Sequence, residues 1–122
     1  MNENASLFFV DRHVDSHIKK KKAFIEYGSN QKFITYADLH EQSSKLRHFF
    51  SKFKINREDR VIILMQDVIS YPIIFWGCLK SGVVPVLLNT LLSSEVVSEI
   101  IYNSRANAVF ISTGLLSSFE NQ

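Results

Sequence analysis

His13 and His17 stand four positions apart, the spacing at which two imidazoles on one helix can share a metal ion. No glutamate lies between them at the spacing a shared metal needs, so the pair reads as a solvated helix face rather than a metal site. His40 and His48 fall on the polar side of a second predicted helix and read the same way. Cys78 has no evident base partner and sits in an apolar stretch, which favours packing over nucleophilic chemistry. The four glycines, Gly28, Gly77, Gly82 and Gly114, lack the spacing of a dinucleotide fingerprint or a phosphate loop, which excludes nucleotide binding by those motifs within this chain. Lys19, Lys20, Lys21 and Lys22 could meet a phosphate or a membrane, but four cations at a predicted helix terminus also complement the helix dipole, and that reading is preferred.

The elements that must position these residues follow from hydrophobic patterning. Residues 23–26, 32–35, 61–65, 83–88 and 108–111 are short apolar or β-branched runs and read as strands. The runs 61–65 and 83–88 lack polar alternation, as expected of strands covered on both faces by helices. Tyr36, Leu39, Leu46, Phe49, Phe50 and Phe53 form one helical stripe, with Glu41 and Lys45 as an i,i+4 pair opposite. Thr35 is its predicted N-cap, with Asp38 completing a capping box. A second helix is predicted over 71–81, entered at Ser70 and Pro72 and stopped by Gly82. Ile73, Ile74, Phe75, Trp76, Cys78 and Leu79 make it apolar around most of its circumference, which requires burial on more than one side. Another helix runs from a Ser93 cap to about Asn103, and a first helix is predicted over 5–18 from the spacing of Leu7, Val10, Val14 and Ile18.

Strands alternating with helices define an α/β fold: a layered, mostly parallel sheet flanked by helices, joined by right-handed crossovers and preceded by a possible hairpin across 27–31. No internal repeat appears, and residues 1–122 are read as one unit. Ligands in open α/β sheets sit beyond the carboxyl ends of the strands, here Gln66-Asp67, Asn89-Thr90 and Ser112-Thr113-Gly114. Those residues could line a crevice, although their expected role is to cap the elements that follow.

Composition narrows the function. A net charge of +2 is too small for an electrostatic footprint on nucleic acid or an anionic membrane. At 122 residues a chain buries roughly 65% of its unfolded surface, enough for a core without disulfides or metal. No apolar run approaches the ~20 residues of a membrane span and the N-terminus is polar, which predicts a cytoplasmic chain.

FWGCLKSGVVPVLLNTLLS at residues 75–93 resembles the adenylate-forming (acyl-CoA synthetase, AMP-dependent ligase) superfamily, and within it the N-terminal part of the benzoate-CoA ligases. N-x-S-x-x-F-V-D-R-H-V at 4–14, A-F-I at 23–25, T-Y-x-D-L at 35–39, E-D-R-V at 58–61, Asp67 and S-R-A at 104–106 join it in order. The resemblance implies a partial N-terminal subdomain of that fold. It also implies an activity that joins an aryl or acyl carboxylic acid to coenzyme A through an acyl-adenylate, using ATP and Mg²⁺ and releasing AMP. The superfamily's phosphate loop, acidic ribose-binding residue, adenine motif and catalytic lysine have no counterpart in these residues. No catalytic, cofactor-binding or metal-binding residue is therefore assigned, no cofactor is expected on this chain by itself, and the isolated chain is expected to be inactive. An alternative is a non-catalytic module that self-associates through an exposed sheet edge or helix face.

Overall fold

The computed structural model describes residues 3–120. Its centre is strand β3 (Arg60–Leu64), in which Val61, Ile62, Ile63 and Leu64 are all buried. The missing polar alternation noted above has a direct cause here, because β3 is covered on both faces. Val61 and Ile63 point to one side, against Phe50 of α2 (Tyr36–Lys52) and Ile74 and Cys78 of α3 (Ser70–Ser81). Ile62 and Leu64 point to the other, against Val97 of α4 (Ser94–Ser104).

Strands β4 (Val84–Leu87) and β5 (Ala108–Ile111) flank β3 in parallel, giving the order β4-β3-β5. Arg60 is in register with Val84, and Val61 with Ala108. The two-face burial expected of the second apolar run fails in β4. Val84 and Leu87 are 39% and 49% exposed, because β4 lies at the sheet edge with no strand beyond it among the described residues. The antiparallel pair β1 (Lys22–Ile25) and β2 (Phe33–Thr35) forms a separate two-stranded sheet, the hairpin expected from the sequence.

Local chemistry explains the helix ends. Asp38 N–H donates to Thr35 Oγ1 at 3.1 Å and Thr35 N–H donates to the Asp38 carboxylate at 2.9 Å, so the capping box opening α2 is complete. Gly82 closes α3 in the left-handed region (φ 71°), a conformation that costs glycine little. Ser93 Oγ caps α4 through Val96 N–H. α3 begins one residue before the expected 71, with Ser70 inside the helix and Pro72 in its first turn as expected, and its N-cap Ile69 makes no side-chain cap. The carboxylate of Glu26 arrives from the hairpin instead and accepts Ile69 N–H at 2.9 Å.

The long first helix is the larger correction. Only α1 (Ala5–Phe9) is α-helical, followed by a 3-10 turn over Asp11–His13 and further turns to residue 20. Val10 is buried with Ile34 and Leu39 in a second cluster against Ile73 and Trp76 on the outer side of α3, while Leu7 is exposed. The helix 70–81 is therefore packed on two sides, which is why it is apolar nearly all round.

Candidate functional site

The carboxyl ends of the parallel strands converge as α/β topology requires, and most of their polar groups close turns. Gln66 N–H donates to Ser112 Oγ at 3.0 Å, tying the loop after β3 to the end of β5. Asn89 Oδ1 accepts Leu91 N–H at 2.9 Å and closes the turn leading to α4. Asp67, Thr113 and Gly114 are exposed and Thr90 is half-buried. The expectation that these residues chiefly satisfy backbone donors is realised at Asn89 and Ser112.

An apolar groove of about 450 Å³ adjoins this crevice, between the hairpin, the loop after β3, the first half of α3 and Leu87 at the end of β4. Phe24, Ile25, Val68, Tyr71, Phe75 and Trp76 supply most of its wall, with Glu26 and Asp67 at its border. Trp76 stacks edge-on with Phe75, their ring centroids 5.2 Å apart, and lies 5.9 Å from Phe9. Burial and the neighbouring Asp67 charge push the Tyr71 phenol above its ordinary range.

A charged cluster that the sequence did not reveal lies where the N-terminal segment meets α2 and α3. Asp11 Oδ1 is 2.8 Å from both Lys80 Nζ and His40 Nδ1, and Asp11 Oδ2 accepts from Ser6 Oγ at 3.1 Å. Lys80 Nζ also donates to Ser44 Oγ at 3.1 Å. Contact with a carboxylate at 2.8 Å requires a proton on His40 Nδ1, so the 3.3 Å approach of Lys80 to that nitrogen is proximity rather than a hydrogen bond. Burial acts to raise the Asp11 carboxyl, but the Lys80 and His40 hydrogen bonds and the Lys80 charge outweigh it and hold the group below its ordinary value. His40 is thus no bystander on a polar face. A lone lysine within an otherwise apolar helix was the sequence signal for this cluster.

The remaining chemistry-bearing residues are accounted for locally. His13 and His17 do not share a helix: His13 packs edge-on against Tyr36 at 4.7 Å, while His17 is exposed in a turn. His48 is exposed on α2. Among the described residues no group of three or more His, Cys, Asp or Glu side chains is placed to hold a metal ion. Cys78 is buried in the core, and burial pushes its thiol up to about 12, so a thiolate is not available at neutral pH. The lysine run is not a helix terminus either. The carbonyls of Lys21 and Lys19 accept the N–H groups of Tyr36 and Ala37 in the first turn of α2, and Lys22 Nζ lies 4.4 Å from the centre of the Phe33 ring.

Residues 10–122 match the family model described as AMP-binding enzyme. The chain belongs to the AMP-binding enzyme family. It is 32% identical over 117 residues to the 4-hydroxybenzoate–CoA/benzoate–CoA ligase of Rhodopseudomonas palustris, covering 96% of this chain and 21% of that protein. Its fold superposes on a benzoate CoA ligase from Burkholderia xenovorans with a TM-score of 0.80 and 26% identity, over 94% of this chain and 22% of the other. An anthranilate CoA ligase crystallised with anthranoyl-AMP gives a TM-score of 0.85 at 18% identity over the same 94% of the chain, a likeness of fold. The chain spans about a fifth of the length of these proteins. No helix among the described residues is long and apolar enough to cross a membrane.

Proposed function

We propose that these residues form the opening α/β layer of an AMP-forming ligase that activates an aromatic carboxylic acid with ATP and Mg²⁺ and passes the acyl group to coenzyme A. The observation that carries this reading is the near-complete alignment with a 4-hydroxybenzoate–CoA/benzoate–CoA ligase, together with the superposition on a second benzoate CoA ligase. What the chain contributes is scaffold: the central strand β3, the loops at its carboxyl end and the α2–α3 pair that supports them. The crevice presents no cation to a nucleotide's phosphates among the described residues. Its Gln66 N–H, Asn89 Oδ1 and Ser112 Oγ are engaged in local hydrogen bonds, and neither a lysine nor an arginine stands at the carboxyl ends of the parallel strands. No chemical step is assigned to a residue of this chain, and the isolated chain is inactive on this reading.

A chimaera tests the proposal. The matching segment of the Rhodopseudomonas palustris ligase is replaced by these residues, and AMP release is measured with benzoate and with acetate in the presence of ATP, Mg²⁺ and coenzyme A. Benzoate-dependent turnover is expected. A folded chimaera that releases no AMP with benzoate, or that has come to prefer acetate, would overturn the scaffold assignment, and AMP release by the isolated chain would overturn its inactivity.

The exposed edge of β4 favours a second reading, a module that associates with its own kind through Val84 and Leu87. Its measurement is given in the Discussion.

A further inference from the structure

We infer that a notch at the amino ends of the strands, opposite the crevice, is a binding site for a phosphate-bearing small molecule. Arg47 and Ser51 on α2, Lys54 and Arg57 in the loop to β3, and Ser81 at the end of α3 line this notch of about 430 Å³. Three of its lining residues are cations and none is a carboxylate, in a chain whose net charge is only +2. Like charges held together repel, and among the described residues neither Arg47 nor Lys54 has an ion-pair partner. Arg57 meets Glu58 at 3.6 Å, but both side chains are more than three-quarters exposed and such a pair is weak. Of the other acids nearby, Asp59 is engaged by Asn56 N–H at 2.7 Å and Asp11 by Lys80 and His40, while Glu3 lines the adjoining pocket that shares Arg47, Arg57 and Ser81 with the notch.

The loop carrying two of the cations is fixed in place. Ile55 N–H donates to Phe50 O, Glu58 N–H to Gly82 O and Val84 N–H to Asp59 O, each within 2.9 Å, tying it to the end of α2, the end of α3 and the start of β4. Lys54 holds a left-handed backbone (φ 57°), a conformation glycine adopts more readily, and it does so beside two arginines. A dianionic phosphate would satisfy these cations through charge-assisted hydrogen bonds, with planar guanidinium groups suited to paired oxygens.

The test is an ¹⁵N-¹H NMR titration of the chain with inorganic phosphate and pyrophosphate at low ionic strength. Saturable shifts confined to the amides of residues 51–57 and 81 are expected, stronger with pyrophosphate. Arg47→Gln with Arg57→Gln is expected to weaken binding about a hundredfold, at roughly one factor of ten for each charged hydrogen bond removed. Lys20→Gln with Lys21→Gln should leave it unchanged. Shifts centred on residues 19–22 or on the strand ends at 66–67, 89–90 and 112–114, or no saturation, would overturn the site. Cosedimentation with phosphatidylglycerol vesicles in place of saturable pyrophosphate binding would overturn the soluble ligand.

Discussion

Gly77 of α3 lies directly against Leu46 of α2: a methyl group built at position 77 would stand 2.5 Å from Leu46 Cδ2 and 2.9 Å from its Cβ. The absent side chain sets how closely the two helices approach. Gly77→Ala gains helix propensity of up to about 1 kcal/mol, yet it forces the helices apart at a cost of about 1–3 kcal/mol. Net destabilisation is expected as a lower urea midpoint. Gly114→Ala, where an added methyl meets nothing within 4 Å, serves as the control and should leave the midpoint near wild type.

The Asp11–Lys80 pair predicts how acid unfolds the chain. The Asp11 carboxyl is held below the ordinary 3.8, so its contribution is complete above that value and is lost as pH falls through the lower folded-state value. Asp11→Asn should flatten the dependence of stability on pH below about 4. Lys80→Met leaves a partly buried carboxylate without its cation and should cost about 1–3 kcal/mol at neutral pH. A double-mutant cycle with near-zero coupling would show that the two side chains do not stabilise one another.

Thr35→Ala removes the acceptor for Asp38 N–H and the hydroxyl that donates to the Asp38 carboxylate. A loss of about 1 kcal/mol is expected, with Thr35→Ser close to wild type. Thermal melts followed by circular dichroism at 222 nm read both.

Glu58 and Arg105 occupy left-handed backbone at φ 70° and 52°. Glycine adopts that region without the clash of a Cβ, so Glu58→Gly and Arg105→Gly should each stabilise the chain by about 0.5–1 kcal/mol. Unchanged or lower stability would mean that side-chain contacts at these sites outweigh the backbone term.

Leu87, 49% exposed on edge strand β4, reports on self-association. If copies pair along this edge, light scattering shows a concentration-dependent mass that Leu87→Lys abolishes. A constant monomer mass across the same range would sink that reading.

The sequence disclosed the elements whose cause is local. Thr35 and Asp38 marked the start of α2 because a capping box is written within four residues, and Gly82 marked the end of α3 because a left-handed stop favours glycine. The parallel arrangement was legible in the unbroken apolar run of β3. The N-terminal segment misled because the spacing of Val10, Val14 and Ile18 mimics a helix, while the chain turns instead and Val10 is buried by Ile34 and Leu39. The Asp11–His40–Lys80 cluster was hidden because its members lie 29 and 40 positions apart and meet only after three elements have packed. Burial of β4 was overstated for a related reason: an apolar run records what a strand can be packed against, and β4 has no outer neighbour among the described residues.

The position of β3 at the middle of the order β4-β3-β5 also fixes a sequence of events on the ribosome. Synthesis runs from the N-terminus, so the most water-averse strand emerges before either neighbour that shields its edges. Its partners begin at Val84 and Ala108, and both connections pass through a helix. The hairpin and α2 can assemble while β3 is still unpaired, but the parallel core cannot close until α3 has been made and has brought β4 back alongside. Each nascent chain therefore carries a bare Val-Ile-Ile-Leu stretch for the time taken to translate the crossover, and that interval is when it is most exposed to chaperones and to misassembly with its neighbours on the polysome.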